Sequence, residues 1–169
     1  MSVHEHKQAA PASIRVYVLT VSDTRTVADD KSGQLLRQLL EAGGHQVVGH
    51  EIVKDEQAQI EAVLRREVER PETQAVILTG GTGISPRDVS YEAMKNVLEK
   101  ELTGYGELFR LLSYQEIGAA AMLSRAIAGV TAGKILIATP GSSNAVRLAV
   151  EKLILPELGH LVREANKGR

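Results

Sequence analysis

The 169-residue chain has no cysteine and no tryptophan, and only one phenylalanine and four tyrosines. Without cysteine there can be no disulfide, thiolate nucleophile, iron–sulfur cluster or cysteine-held zinc. With aromatics at 3% of the chain, stacking platforms for single-stranded nucleic acid are scarce and the core must be aliphatic. No charge excess draws the chain to nucleic acid or an anionic membrane: 20 Lys and Arg face 21 Asp and Glu, a formal charge of −1. No apolar run approaches the roughly 18–20 residues of a membrane span. The N-terminus lacks the charged-then-apolar layout of a signal peptide, so the expected location is the cytoplasm. The five histidines make no compact motif, since His4 and His6 lie in a polar N-terminal stretch and His45, His50 and His160 are scattered.

What remains is an ordinary globular composition, 43% hydrophobic and 24% charged, of a size that suits one domain. Residues 1–12 show no periodicity and are expected to form a flexible tail ahead of a single domain over 13–169. Ile14–Val21, Gln46–Val53, Ala75–Thr79 and Lys134–Ala138 are short, β-branched, apolar runs that predict strands. Between them, Leu35, Leu36, Leu39 and Leu40 form a helical stripe stopped by Gly43-Gly44, and Ile60, Val63, Leu64 and Val68 form a second, closed by Pro71. A third helix is expected over Val89–Leu98. The stretch Leu102–Val130 looks helical though punctuated by glycine, and two closing helices, Ala145–Ile154 and Leu158–Ala165, are separated by Pro156. Alternating strands and helices predict an α/β fold, a three-layer α/β/α sandwich around a mostly parallel sheet. Such sheets bind ligands beyond the carboxyl ends of their strands.

Those ends carry the polar and glycine-rich residues. Thr79-Gly80-Gly81-Thr82-Gly83-Ile84-Ser85-Pro86-Arg87-Asp88 follows a buried strand. Its glycines free the backbone to turn N–H groups onto an anion, and Thr82 and Ser85 add hydroxyls, so a phosphate is the expected ligand. It is neither a dinucleotide fingerprint, because position 86 is proline, nor a Walker loop, because Gly129 to Lys134 has the wrong spacing and Ile135 stands in place of Ser or Thr. Asp55 and Asp88 each follow a strand end. Together they suit Mg²⁺ beside phosphate; singly, each also suits a helix cap. Arg87 either clamps a phosphate or pairs with a surface acid. Pro140-Gly141-Ser142-Ser143-Asn144 is a second anion-binding turn or an ordinary N-cap. Tyr105, Phe109 and Leu112 fall at helical spacing, which suits core or a subunit interface, and Glu107 suits a solvated helix start.

Six segments occur in a recognisable order: Thr20-Val21-Ser22-Asp23-Thr24, Leu78-Thr79-Gly80-Gly81-Thr82-Gly83, Arg87-Asp88-Val89, Gly106-Glu107-Leu108-Phe109-Arg110, Ala121-Met122-Leu123-Ser124-Arg125-Ala126 and Pro140-Gly141-Ser142. Together they resemble the MoaB/MogA family of molybdenum-cofactor biosynthesis, most closely its MoaB branch, over about Ile14 to Ala165. The resemblance implies a trimer or a dimer of trimers. It also implies adenylylation of molybdopterin by MgATP, with release of pyrophosphate, and hand-over of the product to the pathway's metal-insertion enzyme. Carried across, Asp55 and Asp88 are the catalytic, metal-holding acids. Gly80, Gly81, Thr82 and Gly83, with Ser22, Asp23 and Arg87, bind nucleotide and phosphate, and Pro140, Gly141 and Ser142 face the pterin phosphate. Where the MogA branch continues Arg-Asp-Val with Thr-Pro-Glu-Ala, this chain has Ser90-Tyr91-Glu92-Ala93. The alternative to the enzyme is a non-catalytic oligomeric carrier of molybdopterin or nucleotide. No nucleic acid or membrane partner is expected.

Overall fold

A computed structural model of the chain describes residues 2–169. The four runs expected as strands pair in parallel: β1 (Arg15–Val21) lies between β2 (Gln46–Val53) and β3 (Ala75–Thr79), and β3 pairs with β6 (Lys134–Thr139). The full sheet has six strands in the order β2-β1-β3-β6-β5-β4, with β5 (Ile127–Thr131) and the two-residue β4 (Lys100–Glu101) added antiparallel at one edge. Residues alternate across the sheet, as strand geometry requires. Val16, Val18, Ile77 and Ile137 point to one core, covered by α2 (Lys31–Ala42), α5 (Thr103–Ile117), α6 (Ser143–Ala149) and α7 (Leu155–Ala165). Tyr17, Leu19, Val76 and Leu136 point to the other, covered by α3 (Gln57–Glu69) and α4 (Ser90–Val97). Three layers around a mostly parallel sheet are what the alternation of elements predicts. Among the described residues no helix is long and apolar enough to cross a membrane.

Three local differences have physical causes. Within the expected tail, Val3–Gln8 is a helix, α1, started by a capping box in which Ser2 and Glu5 bond each other's backbone N–H. It lies against α7, with Lys7 paired to Glu157 and His6 to Glu164, and its tertiary partner is invisible to a periodicity search. The segment expected as helical through Val130 ends its α-helix at Ile117, passes through a 3-10 helix over Gly118–Leu123 and becomes β5. Pro156 does not break the closing helices apart. Ahead of it the chain widens into a π turn over Val150–Ile154, where the Leu155 N–H reaches back five residues to the Val150 carbonyl, and proline sits at the start of α7, where a missing N–H costs least.

The β5–β6 hairpin turns through Ala132-Gly133, both with positive φ, +50° and +77°. Two-residue hairpin loops favour that pattern, but alanine adopts it at a cost. Ala132 is exposed, so changing it sacrifices no packing. Ala132→Asn is expected to raise stability by about 0.5–1 kcal/mol in urea denaturation. A fall in stability would show that the turn adopts another conformation.

Candidate functional site

Parallel pairing sets the carboxyl ends of β2, β1, β3 and β6 side by side, so the four polar loops that follow them share one edge of the sheet. The loops after β3 and β6 are in contact. Thr79 Oγ1 donates to the Pro140 carbonyl at 3.0 Å, and the Gly80 N–H to the Thr139 carbonyl at 3.0 Å. A methyl on Gly141 would lie 3.3 Å from the Gly80 Cα. A side chain here would press the two loop backbones apart by a few tenths of an ångström.

Between these loops and the C-terminal half of α5 lies an open cleft of about 390 Å³. Its floor is Gly80–Gly83 with Pro140–Ser142, and Asp88 stands at its rim. The far wall is Phe109, Ser113 and Ile117 from α5, continued by Ala121 and Leu123 of the 3-10 helix. The Ser124 hydroxyl is buried in this wall and has no partner among the described residues, which is unusual for a buried polar atom. A polar ligand in the cleft would supply one.

The expected site residues divide into two groups. Gly80, Gly81, Thr82, Gly83, Asp88, Pro140, Gly141 and Ser142 line the cleft. Ser22, Asp23, Asp55 and Arg87 are not in its lining and gather beside it, over the ends of β1 and β2. Gly81 joins the groups, since a methyl on it would sit 3.3 Å from Asp55 Oδ1 and 2.5 Å from Ser90 Oγ.

In the second group Arg87 forks onto Asp23 at 2.9 and 3.0 Å and reaches Glu56 at 3.0 Å. Of its two open roles, the structure displays pairing with surface acids. Asp23 Oδ1 also accepts the Asp55 N–H at 3.1 Å, and the Arg87 guanidinium, helped by that bond, holds the Asp23 carboxyl below its usual range. Ser22 Oγ accepts the N–H groups of Thr24 and Arg25, stiffening the turn.

Neither acid serves as a helix cap. The N-cap positions of α3 and α4 are Glu56 and Val89, and both lack a side-chain cap bond. Asp88 instead closes the turn before it, with Oδ2 accepting from the Ser85 N–H at 3.0 Å and the Ser85 hydroxyl at 2.6 Å. No side chain donates to the Asp55 carboxylate among the described residues. Burial, then the charges of Asp23 and Asp88, push its pKa above the normal carboxylate range, with only a nearby Asp23 N–H and the Arg87 charge opposing. Ser142, by contrast, does cap α6, accepting the Ala145 N–H at 3.1 Å, which leaves its own O–H free to donate. Tyr105 and Phe109 stack at 6.3 Å inside the core, and Glu107 is exposed.

Sequence patterning does not find Arg125. Its guanidinium donates to the Gly83 carbonyl at 2.8 Å and the Asp88 carbonyl at 3.0 Å, pairs with Glu92, and lies 5.1 Å from the centre of the Tyr91 ring. Its backbone N–H donates to the Thr82 carbonyl at 2.8 Å. One residue between the 3-10 helix and β5 thus fixes the glycine loop at three carbonyls. No local periodicity encodes a contact across some forty residues of chain; only its place in the Ser124-Arg125-Ala126 motif marks it. Ser113 and Ser124 escape pattern-based assignment for the same reason.

Residues 17–160 match the family model described as "Probable molybdopterin binding domain". A protein of Halalkalibacterium halodurans named molybdenum cofactor biosynthesis protein B is 55% identical over 170 aligned positions, covering 100% of both chains. A crystal structure of a protein of that name superposes with a TM-score of 0.89 at 51% identity, covering 92% of this chain and 98% of the other. The tungsten cofactor synthesizing protein MoaB from Pyrococcus furiosus gives a TM-score of 0.81 at 36% identity, covering 92% and 99%. The similarity spans the strands, both loop groups and the cleft wall: the chain belongs to the MoaB/MogA molybdopterin-binding-domain family of molybdenum-cofactor biosynthesis proteins.

Proposed function

We propose that the protein adenylylates molybdopterin with MgATP in the cytoplasm, releasing pyrophosphate. A terminal phosphate oxygen of molybdopterin forms a bond to the α-phosphorus of ATP while the bond from that phosphorus to the α–β bridging oxygen breaks. The observation that carries this reading is an under-neutralised carboxylate beside a backbone anion cradle: Asp55, its pKa raised, 3.3 Å from where a Gly81 methyl would be. A binding protein for polyanions gains nothing from unpaired negative charge there. A phosphoryl-transfer enzyme needs it to hold a divalent cation.

The residues fit Mg²⁺, which takes one or two carboxylates plus phosphate oxygens. Asp55 and Asp88 would hold it, since Asp88 spends one oxygen on Ser85 and Asp55 lacks a side-chain partner. Bound there, the ion supplies charge neutralisation for the triphosphate. The chain's own residues do the positioning, which is most of what phosphoryl transfer requires. Backbone N–H groups of Gly81–Gly83 bind phosphate oxygens, with Gly80 tied to the Thr139 carbonyl beneath them, and Arg125 keeps that loop in shape. The turn Pro140–Ser142 receives the pterin phosphate through its backbone and the Ser142 O–H. The cleft wall from Phe109 to Ser124 flanks the pterin and offers Ser124 Oγ as a hydrogen-bonding group.

Self-association is part of the proposal. Leu108, Leu111 and Met122, on α5 and the 3-10 helix and outside the cleft lining, are 50–74% exposed, apolar surface of the kind that a homotrimer or hexamer covers. The adenylylated product passes to the pathway's metal-insertion enzyme.

The test mixes the purified chain, MgATP and fresh molybdopterin, and follows adenylyl-molybdopterin by chromatography together with pyrophosphate. Product is expected, and is expected to vanish when Mg²⁺ is chelated. Saturable molybdopterin binding without product would replace the enzyme by a carrier.

A further inference from the structure

The fold brings together two histidines that lie 154 positions apart in the sequence. His160 and Glu164 stand one turn apart on α7, and α1 delivers His6 to the same spot. Ligand atoms of the three lie within 4.8 Å of one another, and the two imidazole centres are 5.9 Å apart. None of its members lines the cleft or joins the Asp55 group.

Two features go beyond proximity. The first is the hydrogen bond from His160 Nδ1 to Glu157 Oε2 at 2.9 Å. A carboxylate that holds one ring nitrogen of a histidine fixes the tautomer and leaves the other nitrogen with its lone pair, the usual outer support of a metal-binding imidazole. The second is a conflict at His6. Its Nδ1 lies 2.8 Å from Glu164 Oε1 and 2.7 Å from Arg163 Nη1. If Nδ1 carries a proton for the carboxylate, that proton faces a guanidinium. If it accepts from Arg163, its lone pair faces a carboxylate oxygen. Arg163 also donates to Glu164 Oε1 at 2.9 Å, so a cationic group already bridges the imidazole and the carboxylate. A metal ion between the same two atoms removes the conflict, because both then act as donors of electron pairs.

We propose that His6, His160 and Glu164 form a site for a borderline divalent ion of the Zn²⁺ type, which clips the first helix to the last. Two imidazoles and one carboxylate suit Zn²⁺, with water as the fourth ligand, and do not suit Mg²⁺, which takes oxygen ligands. Tetrahedral coordination at about 2.0–2.1 Å draws the ligand atoms to roughly 3.3 Å from one another. The side chains close that gap by rotation, since all three are at least partly exposed. Lys7, paired with Glu157, stays in place, while Arg163 and Lys167 give up Glu164. Arg163 is thus the competitor of the ion.

The test is calorimetric titration of the full chain with Zn²⁺ alone, in buffer containing millimolar Mg²⁺ to occupy carboxylates elsewhere. One Zn²⁺ per chain is expected in the micromolar range. His6→Ala and His160→Ala are each expected to weaken binding about tenfold or more with unchanged circular dichroism. His4→Ala, two residues away on an exposed position, leaves it unchanged, and Arg163→Gln tightens it several-fold. The assignment is overturned if no saturable binding occurs, if the loss follows His4 rather than His6, or if Arg163→Gln binds no better than the unaltered chain.

Discussion

Replacing Asp55 with asparagine is expected to slow adenylyl transfer by about 10²–10³-fold while molybdopterin affinity changes little. The substitution keeps the shape of the side chain and removes one negative charge, so it isolates the electrostatic role. In the free protein that charge is a burden. Burial and the neighbouring carboxylates of Asp23 and Asp88 raise its folded pKa above the value in the unfolded chain. A group with a raised folded pKa favours folding most when protonated, and this contribution is lost as pH rises through the folded value. At neutral pH ionised Asp55 therefore opposes folding, and Asp55→Asn is expected to be as stable as the parent or more so. Loss of turnover with retained or increased stability would mark a residue kept for chemistry. Wild-type turnover in this variant, measured as pyrophosphate release at saturating MgATP, would remove Asp55 from the mechanism.

Asp88→Asn carries a different expectation, because Asp88 has a structural task as well. Its Oδ2 accepts from both the N–H and the hydroxyl of Ser85. An asparagine keeps the turn only by presenting its carbonyl oxygen there, so turnover and loop order fall together. The contrast between the acids comes from their local bonding, which the sequence does not display.

Strand runs such as Ala75–Thr79 and the glycines after them are legible because their signals are local: continuous β-branched burial, then residues that tolerate positive φ. From four such strands the parallel sheet follows, and with it the edge where the loops meet. The hairpin strand Ile127–Thr131 is obscured for an equally local reason. Its small residues, Ala128 and Gly129, carry weak strand preference and continue the glycine-punctuated pattern before them. Gly129 itself is demanded by tertiary structure, since a methyl there would lie 2.3 Å from the Lys100 carbonyl of β4. Tertiary partners explain the other gaps. Arg125 holds the glycine loop from across the cleft, α1 is held by α7, and Arg87 is engaged with Asp23 and Glu56. The six ordered motifs carry the family and most of the cleft floor, but not the separation of the Asp55 group from the cleft.

The largest effect on folding is expected from Gly80→Ala. Three glycines of the molecule show how context decides such a change. Gly44 has φ +90° but open space around it, so alanine there costs only the backbone strain, about 1–2 kcal/mol. Gly83 has no positive φ, and a methyl would meet Asp88 Oδ2 at 2.6 Å, a side-chain atom that can swing aside by giving up its bonds to Ser85. Gly80 combines the penalties without the escape. Its φ is +105°, and the methyl would lie 2.2 Å from the Val21 carbonyl oxygen, part of the β1 backbone between two parallel neighbours. Relief requires parting β1 from β3 at the edge where the loops diverge. It would also disturb the Thr139 and Ser90 bonds to Gly80, which are 3.0 and 2.7 Å long. Strain and overpacking together are expected to cost about 3 kcal/mol or more, a large share of a typical domain's stability of about 5–15 kcal/mol. Urea denaturation of Gly80→Ala beside Gly44→Ala measures the difference directly. Equal losses in the two variants would mean that β1 yields to the methyl at no cost, and that the strand ends are not the rigid frame on which the anion cradle depends.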